Sequence, residues 1–149
     1  MRSFLVPFAA LTALILFAGC GDSKEGGDVD VTLSEWSIVL DKETLPEGPI
    51  EFTIENKGER EHEFVIVRTS LAADELPAKD DGSVDEDGAD VDVEREVEDI
   101  EDGDRTSRTF ELDPGSYVFL CNIVEDIEGE ETSHYEKGMR VGFTVTAEE

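Results

Sequence analysis

Four scarce side chains stand out for the chemistry they could do together: His62, Cys121, His134 and Met139. The chain of 149 residues has only two histidines, two cysteines and two methionines. Met1 is the initiator and Cys20 ends an N-terminal apolar run, so this set uses every histidine and each remaining cysteine and methionine. Two imidazoles and one thiolate, with a thioether as a weak axial partner, form the ligand set of a blue-copper centre. Cys121, His62 and His134 would also suit structural zinc, which accepts nitrogen and sulfur ligands but would leave Met139 idle. Taken singly, each residue has a plainer use. Cys121 could be a small buried hydrophobe, His62 a strand-edge residue and Met139 a filler of the core. Other chemistries find little support. Two histidines are too few for a multicopper oxidase, a Ser-His-Asp triad is hard to place, and no glycine-rich phosphate loop follows a strand.

Such a set needs a scaffold, and the pattern after the N-terminal run is β throughout. VDVTLS (29–34), WSIVL (36–40), IEFTIEN (50–56) and HEFVIVR (62–68) are short and rich in β-branched and aromatic residues. SRTFEL (107–112), SYVFLCN (116–122) and RVGFTVT (140–146) follow, separated by turn signals such as LPEGP, NKGE and DPGS. This many short strands predict an all-β, Greek-key sandwich of two sheets. Along YVFLC, side chains alternate, so Tyr117, Phe119 and Cys121 share one face and the sulfur comes at the dry end of the core. Tyr117 and Phe119 are then expected beneath the site. His62 opens a neighbouring strand, and the segment carrying His134 and Met139 can fold back over the same end.

At this point the chain resembles the cupredoxin family, the relatives of plastocyanin and azurin. The resemblance rests on NKGEREHEFVI around His62, PGSYVFLC leading to Cys121, and HYEKGM from His134 to Met139, and it spans most of residues 29–146. It implies one copper ion cycling between Cu(I) and Cu(II), with His134 on an exposed loop as the electron port. Two features depart from the family pattern. The segment between Cys121 and His134, NIVEDIEGEETS, is much longer than usual and carries five acids. Glu63 follows the first histidine where asparagine is common, while Asn122 follows the cysteine, so the hydrogen bond joining the two ligand segments is expected to be rearranged.

The N-terminus reads as an export signal. Arg2 precedes the apolar run from Phe4 to Phe17, which is shorter than the ~18–20 residues of a spanning helix. FAGC resembles a lipobox, giving a signal peptide over 1–19, lipidation at Cys20, and a flexible tether over 20–28 before a domain at 29–149. Ordinary cleavage near Ala18 is the alternative and would leave an unpaired thiol. With Cys20 lipidated, Cys121 has no cysteine to pair with.

The formal charge of −27 excludes nucleic acid as a partner and opposes adsorption on anionic lipid. Solubility in salt or steering of a basic partner would both explain it. Residues 72–105 hold sixteen acids and three bases. The first part, 72–90, is expected to be a solvated acidic insertion and VDVEREVEDI (91–100) an edge strand. Ser83, Asp85, Asp87, Gly88 and Glu94 approximate the spacing of a calcium loop, although the leading Asp is missing and the flanks are not helical.

These readings point to a copper-binding, non-enzymatic, single-electron carrier. It would be monomeric, anchored by lipid on the outer side of the cytoplasmic membrane, and would meet redox partner proteins. A copper storage, delivery or sensing protein is the main alternative, and a metal-free adhesive sandwich a further one.

Overall fold

The computed structural model describes residues 25–147. The signal peptide, the lipidation site Cys20 and the first part of the tether lie outside the described residues. Two mixed sheets face each other. The first is ordered β2–β1–β4–β7, from Ser37–Leu40, Gly27–Ser34, Gly48–Asn56 and Arg105–Leu112. The second is ordered β3–β11–β8–β5–β6, from Thr44–Pro46, Arg140–Thr146, Gly115–Leu120, His62–Arg68 and Asp92–Ile100. β1 runs parallel to β4 and β3 parallel to β11; the other pairs are antiparallel. This is the expected sandwich, with β6 as the expected edge strand. β1 begins at Gly27, so the domain starts within the segment read as tether.

Period-two alternation explains the inner layer. Val29, Val31 and Leu33 of β1 and Ile50, Phe52 and Ile54 of β4 are buried, while the acids and threonines between them face outward. Opposite them lie Phe64, Ile66, Tyr117, Phe119 and Phe143. Phe52 reaches across, its ring centroid 5.6 Å from Phe64 and 5.5 Å from Phe119.

In the second sheet β5 and β8 are buried on their outer face too, and here the acidic insertion departs from expectation. Leu76 and Val84, from 72–90, pack with Val65, Val67, Val118, Leu120 and Tyr135 into a second apolar cluster. The physical reason is composition at a finer scale. The insertion is charged on average, yet its few apolar side chains are spaced to cover strand residues that alternate away from the main core. The Tyr135 hydroxyl fastens it, donating to Ala73 O at 2.8 Å and accepting from Leu76 N–H at 3.2 Å. The calcium-loop spacing does not gather a site. Ser83 is engaged by Asp81, whose carboxylate accepts from both its amide and its hydroxyl, and Glu94 lies away on β6.

The long segment between Cys121 and His134 is likewise not an open loop. It forms a hairpin of β9 (Val124–Ile127) and β10 (Glu130–Ser133) and runs directly into a one-turn helix, α1 (His134–Lys137). Its two-residue turn, Glu128–Gly129, has positive φ at both positions, 57° and 91°. That is the conformation that matches the twist of paired strands. Gly138 ends α1 at φ 128°, where its amide bonds to Tyr135 O and lets the chain turn into β11.

Candidate metal centre

The ligand candidates converge at one end of the sandwich. Cys121 leaves β8 with its amide donating to Met139 O at 3.1 Å. The His134 amide donates to Ile123 O at 2.9 Å, and the Met139 amide to His134 O at 3.0 Å. These bonds fix the hairpin, the helix and the start of β11 around the sulfur. His62 enters from β5, the neighbour of β8, beside a register irregularity between His62 and Phe64 of the kind that re-aims a side chain.

The Nδ1 atoms of both histidines face Cys121 Sγ. The separations are 3.2 Å between the two Nδ1 atoms, 3.3 Å from Sγ to His134 Nδ1 and 3.9 Å from Sγ to His62 Nδ1. A triangle with these sides has a circumscribed radius of about 2 Å, the length of a metal–imidazole bond and slightly short of a metal–thiolate bond. His62, Cys121 and His134 are all 0% exposed, and they form the one group of three or more such ligands among the described residues. Three soft and borderline donors around a dry point fit a thiophilic metal rather than calcium or magnesium. Met139 is also fully buried, and its carbonyl contact with the Cys121 amide places it beside the group.

The chain has the topology and dimensions of known proteins. No family model and no curated protein matches the sequence. Among solved structures, reduced auracyanin from the photosynthetic bacterium Roseiflexus castenholzii aligns over 80% of this chain and 96% of its own, at 24% identity and TM-score 0.55. Rusticyanin from Thiobacillus ferrooxidans aligns over 80% and 76%, at 15% identity and TM-score 0.56; rusticyanin is described as a copper protein. The fold is that of the cupredoxins.

Within this cupredoxin fold the surroundings of the group differ from the sequence-based expectation at one important point. His134 is not on an exposed loop. The hairpin and Trp36 cover it, with the Trp36 ring edge-on at 5.0 Å between centroids and an angle of 71°. Two carboxylates also attend the far sides of the imidazoles. Glu125 Oε1 lies 2.8 Å from His134 Nε2, and Glu125 Oε2 is held by Arg60 at 2.8 Å. Glu35 Oε1 lies 3.4 Å from His62 Nε2, too poorly aligned for a hydrogen bond. Instead it accepts the amides of Glu59 and Arg60, each at 2.9 Å. Gly58 makes this possible, because a Cβ there would collide with the Glu35 carboxylate.

Burial raises the Glu35 carboxyl pKa, but hydrogen bonds from the amides of Glu35, Glu59 and Arg60 more than offset it and hold the group below the usual value. Burial, and then the neighbouring His134, push His62 down, favouring the neutral imidazole that a metal requires. Cys121 is pushed up to about 12, chiefly by burial. Only a cation in the site, helped by the 3.4 Å hydrogen bond from the Glu63 amide, would make its thiolate the stable form.

The two ligand segments are linked through the residues that follow His62 and Cys121. The Asn122 amide donates to Glu63 Oε1 at 2.7 Å, while the Asn122 side chain clasps Val84 through both its oxygen and its nitrogen. Phe119 sits beneath the site. Tyr117 is four residues back along β8, about 13 Å away, and its hydroxyl instead closes the far end on Asp113 O. Glu35, Trp36, Arg60 and Glu125 were not foreseen. Trp36 is the only tryptophan, a signal that could have singled it out; nothing distinguishes Glu125 from the four other acids of its segment.

Burial, followed by repulsion from Glu96, Glu86 and Glu98, raises the Glu63 carboxyl to about 7 despite the Asn122 bond. A carboxyl whose folded pKa exceeds its unfolded value contributes stability that is full below the unfolded pKa and lost as pH rises through the folded one. The melting temperature of the metal-free protein is therefore expected to fall between about pH 5 and pH 8. Glu63→Gln, which keeps an acceptor for Asn122, should flatten that fall; thermal melts across the window check it.

Proposed function

We propose that this protein is a blue-copper single-electron carrier, held on the outer side of the cytoplasmic membrane by lipid on Cys20. The observation that carries the reading is the buried triangle of His62 Nδ1, His134 Nδ1 and Cys121 Sγ. His62, Cys121 and His134 would hold the copper, with Met139 as the weak axial partner. Copper, when bound, supplies one-electron cycling between its cuprous and cupric states. The chain's own part is to keep the ligands in one arrangement and exclude water, so that little has to move when an electron arrives or leaves. Full burial of the donors and the hydrogen-bonded hairpin over them favour retention of the ion over its delivery.

With His134 buried, Trp36 is the best-placed way out. It touches the imidazole and lines a surface groove of about 300 Å³ with Ile127, Glu128, Glu130, Thr132 and Lys137. The redox partner would present a basic surface to this acidic chain, which fits steering by net charge. A monomer is in keeping with Val39 as the one large apolar side chain strongly exposed among the described residues.

Voltammetry in the presence of a competing Cu(I) chelator tests the reading. A carrier is expected to cycle reversibly and keep one copper per chain. Rapid loss of Cu(I) would mean a delivery protein, and no copper stoichiometry a metal-free sandwich.

A further inference from the structure

The cysteine-to-histidine hairpin does more than lengthen the chain: it brings a carboxylate to the back of a ligand. We propose that Glu125 is a positioning residue for the metal centre, fixing His134 with its proton on Nε2 and biasing the bound metal toward its more highly charged state. The inference rests on the reading of the site as a copper centre.

The geometry is specific. An ionised carboxylate only accepts hydrogen bonds, so the 2.8 Å contact with Glu125 Oε1 requires the proton on His134 Nε2. In the neutral imidazole this leaves Nδ1 as the lone-pair donor, at 3.3 Å from Cys121 Sγ and 3.2 Å from His62 Nδ1. Glu125 cannot swing away freely, because Arg60 holds its second oxygen at 2.8 Å, and Arg60 is itself placed by its amide bond to Glu35. Glu125 also sits opposite Thr132 in the hairpin, so its backbone is fixed by strand pairing, and His134 follows β10 directly. A carboxylate behind a ligating imidazole sets its tautomer and raises its basicity. A more basic ligand favours the cupric over the cuprous state. The corresponding carboxylate at His62, that of Glu35, is misaligned at 3.4 Å, so the effect falls on one histidine rather than both.

The test uses the mature chain and two substitutions on the same hairpin. Glu125→Gln removes the charge at the imidazole, whereas Glu131→Gln removes an equal charge from an exposed position. Glu125→Gln is expected to lower the ratio of Cu(II) to Cu(I) affinity by about tenfold, within the 10- to 100-fold range of such partners. Tenfold corresponds to a rise in reduction potential of about 59 mV for a one-electron couple. Glu131→Gln should produce a much smaller rise. Equal potentials for the two variants would overturn the proposal.

A second measurement does not depend on copper. Nitrogen-15 NMR of the metal-free protein should find the His134 proton on Nε2, and a proton on Nδ1 instead would also overturn it. Absence of any thiolate-to-copper absorption in the wild type would defeat the copper reading, while the NMR result would still decide the tautomer.

Discussion

Asn56→Ala is expected to destabilise the domain by about 3 kcal/mol and to weaken metal binding in the same protein. Asn56 is 1% exposed at the end of β4. Its side-chain nitrogen donates to Arg60 O at 2.7 Å and Ile100 O at 2.9 Å, and its oxygen accepts from the Gly58 amide at 2.9 Å. Alanine would strand three backbone groups, each costing about 1–3 kcal/mol if left buried and unpaired, less where water can reach. The turn from 57 to 61 would loosen with them. That turn delivers His62, presents the amides that hold Glu35, and carries Arg60 to Glu125. Urea unfolding with and without bound metal checks both halves. A loss of stability with unchanged metal affinity would show that the turn does not position the site.

Phe52→Ala should cost about as much or more, 3–5 kcal/mol, yet act differently. Phe52 is 0% exposed and stands between the sheets, touching Phe64, Phe119 and Phe143 from the facing sheet and Phe110 from its own. Its removal leaves a cavity in the middle of the sandwich, away from the hydrogen bonds that fix the ligands. The unfolding midpoint is expected to drop sharply while the visible spectrum of the copper-loaded protein keeps its band position. A displaced band would mean that the aromatic core, and not the polar frame around the turn and hairpin, sets the ligand geometry.

Strand pattern carried most of the fold. Alternation in VDVTLS, IEFTIEN and YVFLC predicts which side chains are buried because one face of each strand meets the core, and scarcity predicts the ligands because so few residues of those types exist. Legibility ended where local pattern and environment part. VEDI and EETS carry too few apolar residues to announce strands, and they pair because Glu128–Gly129 supplies the right turn and the hairpin has the site to lie on. The insertion 72–90 looked solvated because its acids outnumber its apolar residues, although its Leu76 and Val84 join Tyr135 in covering β5 and β8. Burial of His134 was unreadable for a related reason. It depends on Trp36, distant in sequence and brought in only by the closed sandwich, and on Glu125, brought in by a hairpin that the local pattern did not announce. Glu63 and Asn122 could be singled out because each adjoins a ligand candidate in the sequence, and the two are hydrogen-bonded to each other.

The most direct test of the central claim is the visible absorption spectrum of residues 21–149 loaded with Cu(II), measured beside Cys121→Ser, with circular dichroism to confirm that both are folded. An intense thiolate-to-copper band in the wild type, absent from the folded variant, is the expected result. No such band in the wild type, or a band that survives the loss of the sulfur, would contradict a copper centre built on His62, Cys121 and His134.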